Sequence, residues 1–232
     1  QTVRDHEKDK PTFYNAGIGW SKDGKHVYAT GGGNDQVYDY AVSGRRLSLR
    51  ARWKSSVKAG APTVPGSANG GIPASAPLAG DVAAFSRGLA VLPDGSAVIV
   101  TNEQGSSVAA LSTKDGSVLW ETQVGAVAAG GAYPGAVALS PEGARAFVTA
   151  QGLNAVITLD TVHGTVLGTT PVGDHPVAVA VTGGGSNVLV ANANDDSLSV
   201  LDAAPPPPTR MAAAGCASTL AIEISDGFAD SF

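Results

Sequence analysis

The sequence has little of several features that would narrow its function. Its 232 residues include a single cysteine, Cys216, so no disulfide can form within the chain. One cysteine does not by itself indicate an oxidising or a reducing compartment. No run of apolar residues reaches the roughly 20 needed to cross a bilayer as a helix, so we expect no membrane span. The net charge of −5 argues against a chain-wide attraction to nucleic acid.

The sequence also lacks the motifs of known catalytic and metal sites. Its four histidines occur in four different contexts, none with the spacing of metal ligands, and no Gly-x-Ser-x-Gly motif marks a hydrolase nucleophile. Asn194-Asp-Asp196 could hold calcium, but it lacks the EF-hand spacing and is more simply interpreted as a hairpin turn. We therefore predict no catalytic residue, no metal and no cofactor in this chain.

Turn residues are abundant, with 30 glycines and 14 prolines. Four of the glycines set a common register, because each stands six residues before a threonine or alanine and sixteen before a tyrosine or leucine. These turn glycines are Gly24, Gly95, Gly143 and Gly185. The last two are 42 residues apart, a period typical of β-propeller blades. We predict an all-β protein, a β-propeller of four-stranded antiparallel blades, with four clear blades, a partial fifth and therefore an incomplete ring.

The repeats also predict the domain organisation. Residues 1–11 are polar and charged and are expected to be a flexible N-terminal segment. The blades are expected over 12–204, interrupted by a loop at 54–80 that is rich in glycine, proline and alanine. Residues 205–232 begin with four prolines and are interpreted as a linker followed by a degenerate start of a fifth blade at Leu220–Ile224.

A basic patch is predicted on the outer strand of the first blade. The strand Arg46–Trp53 alternates, so that Leu47, Leu49, Ala51 and Trp53 should share one face and Arg50 and Arg52 the other. No acidic residue occurs between Asp39 and Asp81. Arg46, Arg50, Arg52 and Trp53 are therefore a candidate docking patch for an anionic partner or protein. The alternative is an ordinary solvated outer strand.

A second candidate site lies where the innermost strands begin. Aromatic side chains recur just before these strands, and such positions surround the mouth of a propeller's central channel, where ligands bind in many such folds. The channel-mouth candidates are Tyr14, Asn15, Phe85, Arg87, Tyr133 and His175. Arg87 is the only charge in the first strand of any clear repeat, which predicts a shallow rim that attracts anions. The alternative is that the aromatics only pack between blades.

Ile99-Val-Thr-Asn102 and its counterparts Phe147-Val-Thr-Ala150 and Leu189-Val-Ala-Asn192 carry a family resemblance. Together with Ser140-Pro-Glu-Gly143, they resemble the YVTN-repeat, or surface-layer-type, β-propeller family over roughly residues 13–202. The opening residues are similar to a subgroup in which the propeller precedes an alkaline-phosphatase-like phosphoesterase domain in one exported polypeptide. The resemblance implies an extracytoplasmic location and a ring of about seven blades. No phosphoesterase motif occurs in this chain.

Three functional hypotheses follow. The first is a non-catalytic binding or scaffold module, part of a larger exported protein. The second is a propeller lactonase or hydrolase with its site at the channel mouth around Arg87 and His175. The third is the propeller portion of a phosphoesterase. Because four blades and a fraction cannot close a ring, we also expect either self-association or blades missing from the C-terminal side.

Overall fold

The structure is a computed structural model that describes residues 17–57, 84–125 and 130–203, and the backbone of 220–222. Its described residues form four sheets, each with four antiparallel strands paired in chain order. The first sheet contains β1 (Ile18–Trp20), β2 (His26–Thr30), β3 (Gln36–Ser43) and β4 (Arg46–Lys54). The second contains β5 (Ser86–Val91), β6 (Ala97–Asn102), β7 (Ser107–Ser112) and β8 (Val118–Gln123).

The other two sheets repeat this plan. The third contains β9 (Pro134–Leu139), β10 (Arg145–Ala150), β11 (Ala155–Asp160) and β12 (Val166–Pro171), with a 3-10 turn at Gln151–Leu153. The fourth contains β13 (Pro176–Val181), β14 (Asn187–Asn192), β15 (Ser197–Asp202) and β16 (Leu220–Ile222). The predicted all-β fold of propeller-type blades is confirmed, and the four sheets of the described residues do not close a ring.

The turn glycines explain why each blade starts with a hairpin. Gly24, Gly95, Gly143 and Gly185 all have φ between +69° and +77°, a conformation that glycine adopts at little steric cost. The N–H of each donates to the carbonyl three residues earlier, at 2.8–2.9 Å. The register predicted from these glycines therefore positions the first two strands of every sheet.

Apolar side chains between successive sheets form the core. Tyr28 and Trp53 of the first sheet pack with Val98 and Val100 of the second. A second cluster joins the second and third sheets, and a third cluster joins Phe147 of the third sheet to its neighbours in the fourth. Because both faces of the middle sheets are covered, β6 has six consecutive buried residues, as a strand between two blades requires.

Two expectations need correction. Leu220–Ile222 does not begin a fifth blade: its backbone pairs with β15, with Leu220 opposite Val200, and completes the fourth sheet as its outer strand. In β4 the alternation is interrupted by a bulge, because Ala51 lies opposite Asp39 but Leu49 lies opposite Tyr40. Leu47 therefore packs on the cluster of Tyr38 and Tyr40, and Ala51 packs on the opposite face, as an extra residue in one strand dictates.

Several predictions fall outside the described residues. These are the flexible segment 1–11, residues 58–80 of the insertion, and the linker at 205–219. They remain predictions.

Candidate functional site

The predicted channel-mouth aromatics occupy equivalent positions. Phe85, Tyr133 and His175 each directly precede the innermost strand of a sheet, and all three have positive φ, at 58°, 46° and 55°. Positive φ is uncommon for bulky residues and tends to mark positions that the surrounding structure holds in place. Tyr14 and Asn15, the candidates of the first repeat, lie outside the described residues.

Backbone hydrogen bonds hold all three residues, and Phe85 and His175 are held from two sides. The carbonyl of each accepts an N–H from the loop after the second strand of its own sheet: Glu103 N–H donates to Phe85 at 3.0 Å, Gln151 N–H to Tyr133 at 3.3 Å and Ala193 N–H to His175 at 3.0 Å. The N–H groups of Phe85 and His175 donate to side-chain oxygens of the preceding sheet, Asp35 Oδ1 at 2.7 Å and Asn154 Oδ1 at 3.1 Å. The bond to the carbonyl thus repeats in all three sheets, and the bond to the preceding sheet repeats in two of them.

Below this rim, the innermost strands line a groove of about 190 Å³. Its walls are residues 17–18 of β1 and its preceding turn, 87–89 of β5, 135–137 of β9 and 177 of β13. Most of them are glycine, alanine or an aliphatic residue. Arg87 is the charged residue of the lining. Polar recognition in the groove therefore depends on the part of its edge where Arg87 lies.

Arg87 sits at the centre of a polar cluster. Its Nη1 donates to Glu103 Oε1 at 2.5 Å and to Gln151 Oε1 at 3.4 Å. The side chains of Arg87 and Glu103 are 28% and 18% exposed, so this ion pair is largely shielded from water. Glu103 neutralises the cation that the sequence analysis expected to attract anions. The cluster therefore offers a donor and an acceptor side by side rather than a free positive charge.

One polar atom of the cluster has no partner in the described part of the chain. Gln151 Nε2 is buried and makes no hydrogen bond. It lies 3.3 Å from the position that a Cβ on Gly135 would occupy, and Gly135 lines the groove. A buried amide donor without an acceptor costs about 1–3 kcal/mol, and a bound water or ligand would remove that cost.

Sequence reasoning identified Arg87 but missed Glu103 and Gln151. They stand at the same place in two repeats, two residues after Thr101 and Thr149. Extending the register past the end of the second strand would have shown two long polar side chains at one rim position. The pairing itself could not be read from the sequence, because Arg87 and Gln151 belong to different blades.

The aromatic side chains differ in exposure. Tyr133 is 43% exposed, and its ring lies near Gly152. Phe85 is half-buried with its ring near Gly33, and His175 is half-buried. Within the described residues, none of the three side chains hydrogen-bonds Arg87. The structure therefore joins Arg87 to Glu103 and Gln151 and leaves Tyr133 as an open aromatic surface at the same rim.

The predicted basic patch on β4 is divided by the fold. Arg50 Nη1 lies 3.2 Å from Asp39 Oδ2, and Asp39 also contacts His26 Nδ1 at 2.8 Å. Trp53 is only 6% exposed and packs against Tyr28, with 5.6 Å between ring centroids. Trp53 therefore does not belong to an open surface. Arg46, Arg50 and Arg52 are all exposed, and Arg50 is paired with Asp39. Docking through these arginines stays a prediction.

The segment 194–196 behaves as a hairpin turn. Asp195 accepts hydrogen bonds from the Asp174 N–H at 2.8 Å and the Ser197 hydroxyl at 2.7 Å. These bonds, led by the Asp174 N–H, hold the pKa of Asp195 below its ordinary value of 3.8. Within the described ranges, no group of three or more His, Cys, Asp or Glu side chains is placed to hold a metal ion. The described residues also contain no helix long and apolar enough to span a membrane.

No known family profile and no curated protein matches the chain. Solved structures do resemble it. A Bacteroides uniformis protein described as a candidate 6-phosphogluconolactonase matches with a TM-score of 0.61 and 19% identity, over 87% of this chain and 53% of that protein. A periplasmic gluconolactonase of Pseudomonas aeruginosa matches with a TM-score of 0.58 and 24% identity, over 81% and 49%.

A virginiamycin B lyase of Staphylococcus aureus also matches, with a TM-score of 0.57 and 11% identity, over 80% of this chain and 51% of that protein. The chain thus spans about half the length of these structures. The resemblance to YVTN-repeat proteins gains no support from the comparisons and stays a prediction. At these identities the likeness establishes architecture alone: the four sheets are consecutive blades of a β-propeller.

Proposed function

We propose that this chain binds a small polyhydroxylated ligand, of the sugar or sugar-lactone class, at the mouth of its central groove. The observation that carries the proposal is the cluster of Arg87, Glu103 and Gln151 at the edge of the groove, with the buried Nε2 of Gln151 lacking an acceptor among the described residues. A ligand hydroxyl that accepts from this amide would satisfy the donor.

The chemistry of the rim favours hydroxyl groups over a free anion. The charge of Arg87 is balanced by Glu103, so a strong anion would have to compete with a carboxylate already in place. A hydroxyl both donates and accepts, and could therefore bridge Glu103 and Gln151. Tyr133, 43% exposed, supplies an aromatic surface with a polar tip of the kind that binds amphipathic ligands.

Binding without catalysis is the function we put first. Hydrolytic chemistry needs a nucleophile or water held by a base. In the described part of the mouth, no serine or cysteine is hydrogen-bonded to a histidine. The ring of His175 lies at the rim, but no hydrogen bond orients it among the described residues.

Lactone hydrolysis is the second candidate, because a gluconolactonase and a candidate 6-phosphogluconolactonase share the fold. In this reaction water attacks the lactone carbonyl carbon and gives its proton to a base. The ring C–O bond then breaks, and the departing alkoxide takes up a proton. Arg87 could stabilise the carbonyl oxygen as negative charge develops, and His175 or Glu103 could serve as the base.

Titration of the 232-residue chain with glucono-δ-lactone and with gluconate, followed by calorimetry and by acid release, separates the two candidates. We expect saturable binding that Arg87→Gln weakens about tenfold, equal to about 1.4 kcal/mol, and that Gln151→Ala also weakens. Arg46→Gln is the matched control, because Arg46 is an exposed arginine outside the cluster. Acid release above the spontaneous rate would favour lactonase activity. If neither glucono-δ-lactone nor gluconate binds, the site is rejected.

We also propose an extracytoplasmic location, on the strength of the sequence resemblance. Fractionation of the source cells tests it, and recovery in the cytoplasm would reject it.

A further inference from the structure

The innermost strands of successive blades fit by a size rule. In every blade, the residues seven and five positions before the turn glycine are glycine or alanine, and those six and four positions before it are large and apolar. Between the first two blades, the large pair of the second packs over the small pair of the first. A Cβ added to Gly19 would lie 2.7 Å from Leu89 and 2.8 Å from Val91, so these two side chains fill the space above Gly19.

The two ends of the arc each carry half of this arrangement. The large pair of the first blade, Ile18 and Trp20, is 66% and 58% exposed, whereas the equivalent Leu89 of the second blade is 8% exposed. The small pair of the fourth blade, Ala178 and Ala180, is also exposed. Among the described residues, the first blade thus has a large pair with no small pair beneath it, and the fourth blade has a small pair with no large pair over it.

The face of the fourth sheet that points away from the third has no neighbouring sheet in the described part of the chain, and two further observations agree with this. Leu189 is only half-buried, although its equivalent Phe147 is 3% exposed against the next sheet. Asp196 stands eleven residues after the turn glycine, as Asp35 and Asn154 do, and it shares their positive φ. Those two accept the N–H that starts the next blade. Within the described residues, the side chain of Asp196 makes no such bond.

We propose that two copies of this chain associate head to tail, with Ile18 and Trp20 of each packing over Ala178 and Ala180 of the other. The contact repeats the inner-strand part of the packing between the first two blades, where Leu89 and Val91 lie over Gly19. The contact is heterologous, because it joins the first blade of one copy to the fourth blade of the other. A two-fold axis produces the same contact a second time, so that two arcs of four sheets close one ring of eight blades. Rings of about four to eight blades are typical of propellers, and closure prevents open polymerisation.

The occupant is a second copy because the complementary large pair belongs to this chain. The contact is centred on the inner strands. Val27, Tyr38 and Tyr40, in the middle of the same face of the first sheet, are 4% exposed or less in the single chain and add little new area. Ile18 and Trp20 are the large side chains that association would remove from water.

Sedimentation velocity over a range of concentrations tests the proposal. We expect wild-type chain at twice the 23.1 kDa of one copy. Trp20→Lys and Ala180→Glu should each raise the dissociation constant about a hundredfold or more, because each places a charge at both contacts of the dimer. Val162→Lys is the matched control, since Val162 is 69% exposed but lies in a turn of the third sheet, and it should leave the dimer unchanged.

Mixing the Trp20→Lys and Ala180→Glu chains provides the decisive measurement. In a mixed pair, one contact is wild type, and the other brings the introduced lysine of one copy opposite the introduced glutamate of its partner. Opposite charges attract across that contact, so the dimer should re-form. A face-to-face dimer of two identical surfaces would not be restored in this way. A wild-type chain that stays monomeric, or variants that fail to weaken the dimer, would overturn the proposal, and thermal melting of each variant checks that it remains folded.

Discussion

At the scale of single residues, a row of threonines joins neighbouring blades. Thr30 Oγ1 donates to the carbonyl of Arg87 in the next sheet, and Thr101 Oγ1 donates to that of Gly135, both at 2.7 Å. Each hydroxyl also accepts an N–H from its own inner strand. Among the described residues, the Thr149 hydroxyl bonds only within its own blade. It accepts from the Ala136 N–H at 2.9 Å and donates to the Ala136 carbonyl at 3.5 Å.

The inner-strand residue whose N–H bonds the threonine is glycine in the first two blades and alanine in the third. A Cβ on Gly17 or Gly88 would lie 2.3 Å from the carbonyl oxygen of the next blade, so only glycine allows the inner strands to come so close. The third blade has Ala136 at this place, and there the threonine bonds only within its own blade among the described residues. Glycine and the bridging threonine therefore act together at the first two interfaces.

Gly88→Ala should consequently destabilise the protein. The added methyl group meets backbone, which cannot swing aside as a flexible side chain would, and overpacking of this kind costs about 1–3 kcal/mol. Gly183→Ala is the matched control, because nothing lies within 4 Å of its Cβ position, and replacing a glycine there should change stability little or raise it by about 0.4–1 kcal/mol. Urea unfolding of both variants measures the difference. Equal stabilities would show that the inner strands can separate at no cost.

At the scale of elements, short turns closed by an aspartate and a serine recur along the chain. Asp94 accepts the Ser96 N–H at 2.9 Å and its hydroxyl at 2.7 Å, and Asp115 accepts the same two groups of Ser117 at 3.0 and 2.7 Å. The Ser96 N–H and hydroxyl hold the pKa of Asp94 below its ordinary value of 3.8. The bonded carboxylate is thus favoured in the folded state.

This lowered pKa predicts a sign for the effect of acid. A carboxyl whose pKa is lower in the folded than in the unfolded chain stabilises the fold above the unfolded value, and that contribution disappears as the pH falls through the folded value. Wild type should therefore melt higher than Asp94→Asn at about pH 7, and the gap should close at a pH well below 3.8. Thermal melting at both pH values measures it. A gap of the same size in acid would mean that the carboxylate charge does not stabilise the turn.

The elements also show what the sequence could and could not predict. Glycine spacing predicted the hairpins of all four blades, because positive φ at a fixed position depends on local chemistry. The bulge in β4, which moves Ala51 to the other face from Leu47, has no such local marker. The partnership of Arg87 with Gln151, 64 positions apart, depends on how two blades pack. The place of β16 depends on a pairing with β15 across a long stretch of sequence.

At the scale of the whole molecule, burial falls from the middle of the arc to its fourth sheet. All six residues of β6 are buried, whereas in β13 only Pro176 is buried and the others are half-buried or exposed. The apolar clusters join each sheet to its immediate neighbours, so stability should be a sum of blade and interface contributions, as in other repeat proteins. The second and third sheets have described neighbours on both faces, and the fourth has one on a single face.

Hydrogen exchange should follow this arrangement, because amides exchange most slowly where opening exposes the most buried apolar surface. We expect the slowest exchange in β6, β7, β10 and β11 and faster exchange in β13 and β14, measured by mass spectrometry under native conditions. Dilution should speed exchange in β13 further in the wild type, since a second copy covers Ala178 and Ala180 only while the dimer persists. Trp20→Lys should show the fast rate at every concentration. Uniform protection across all four sheets would mean instead that the arc opens as a single unit and that its ends gain as much stability as its centre.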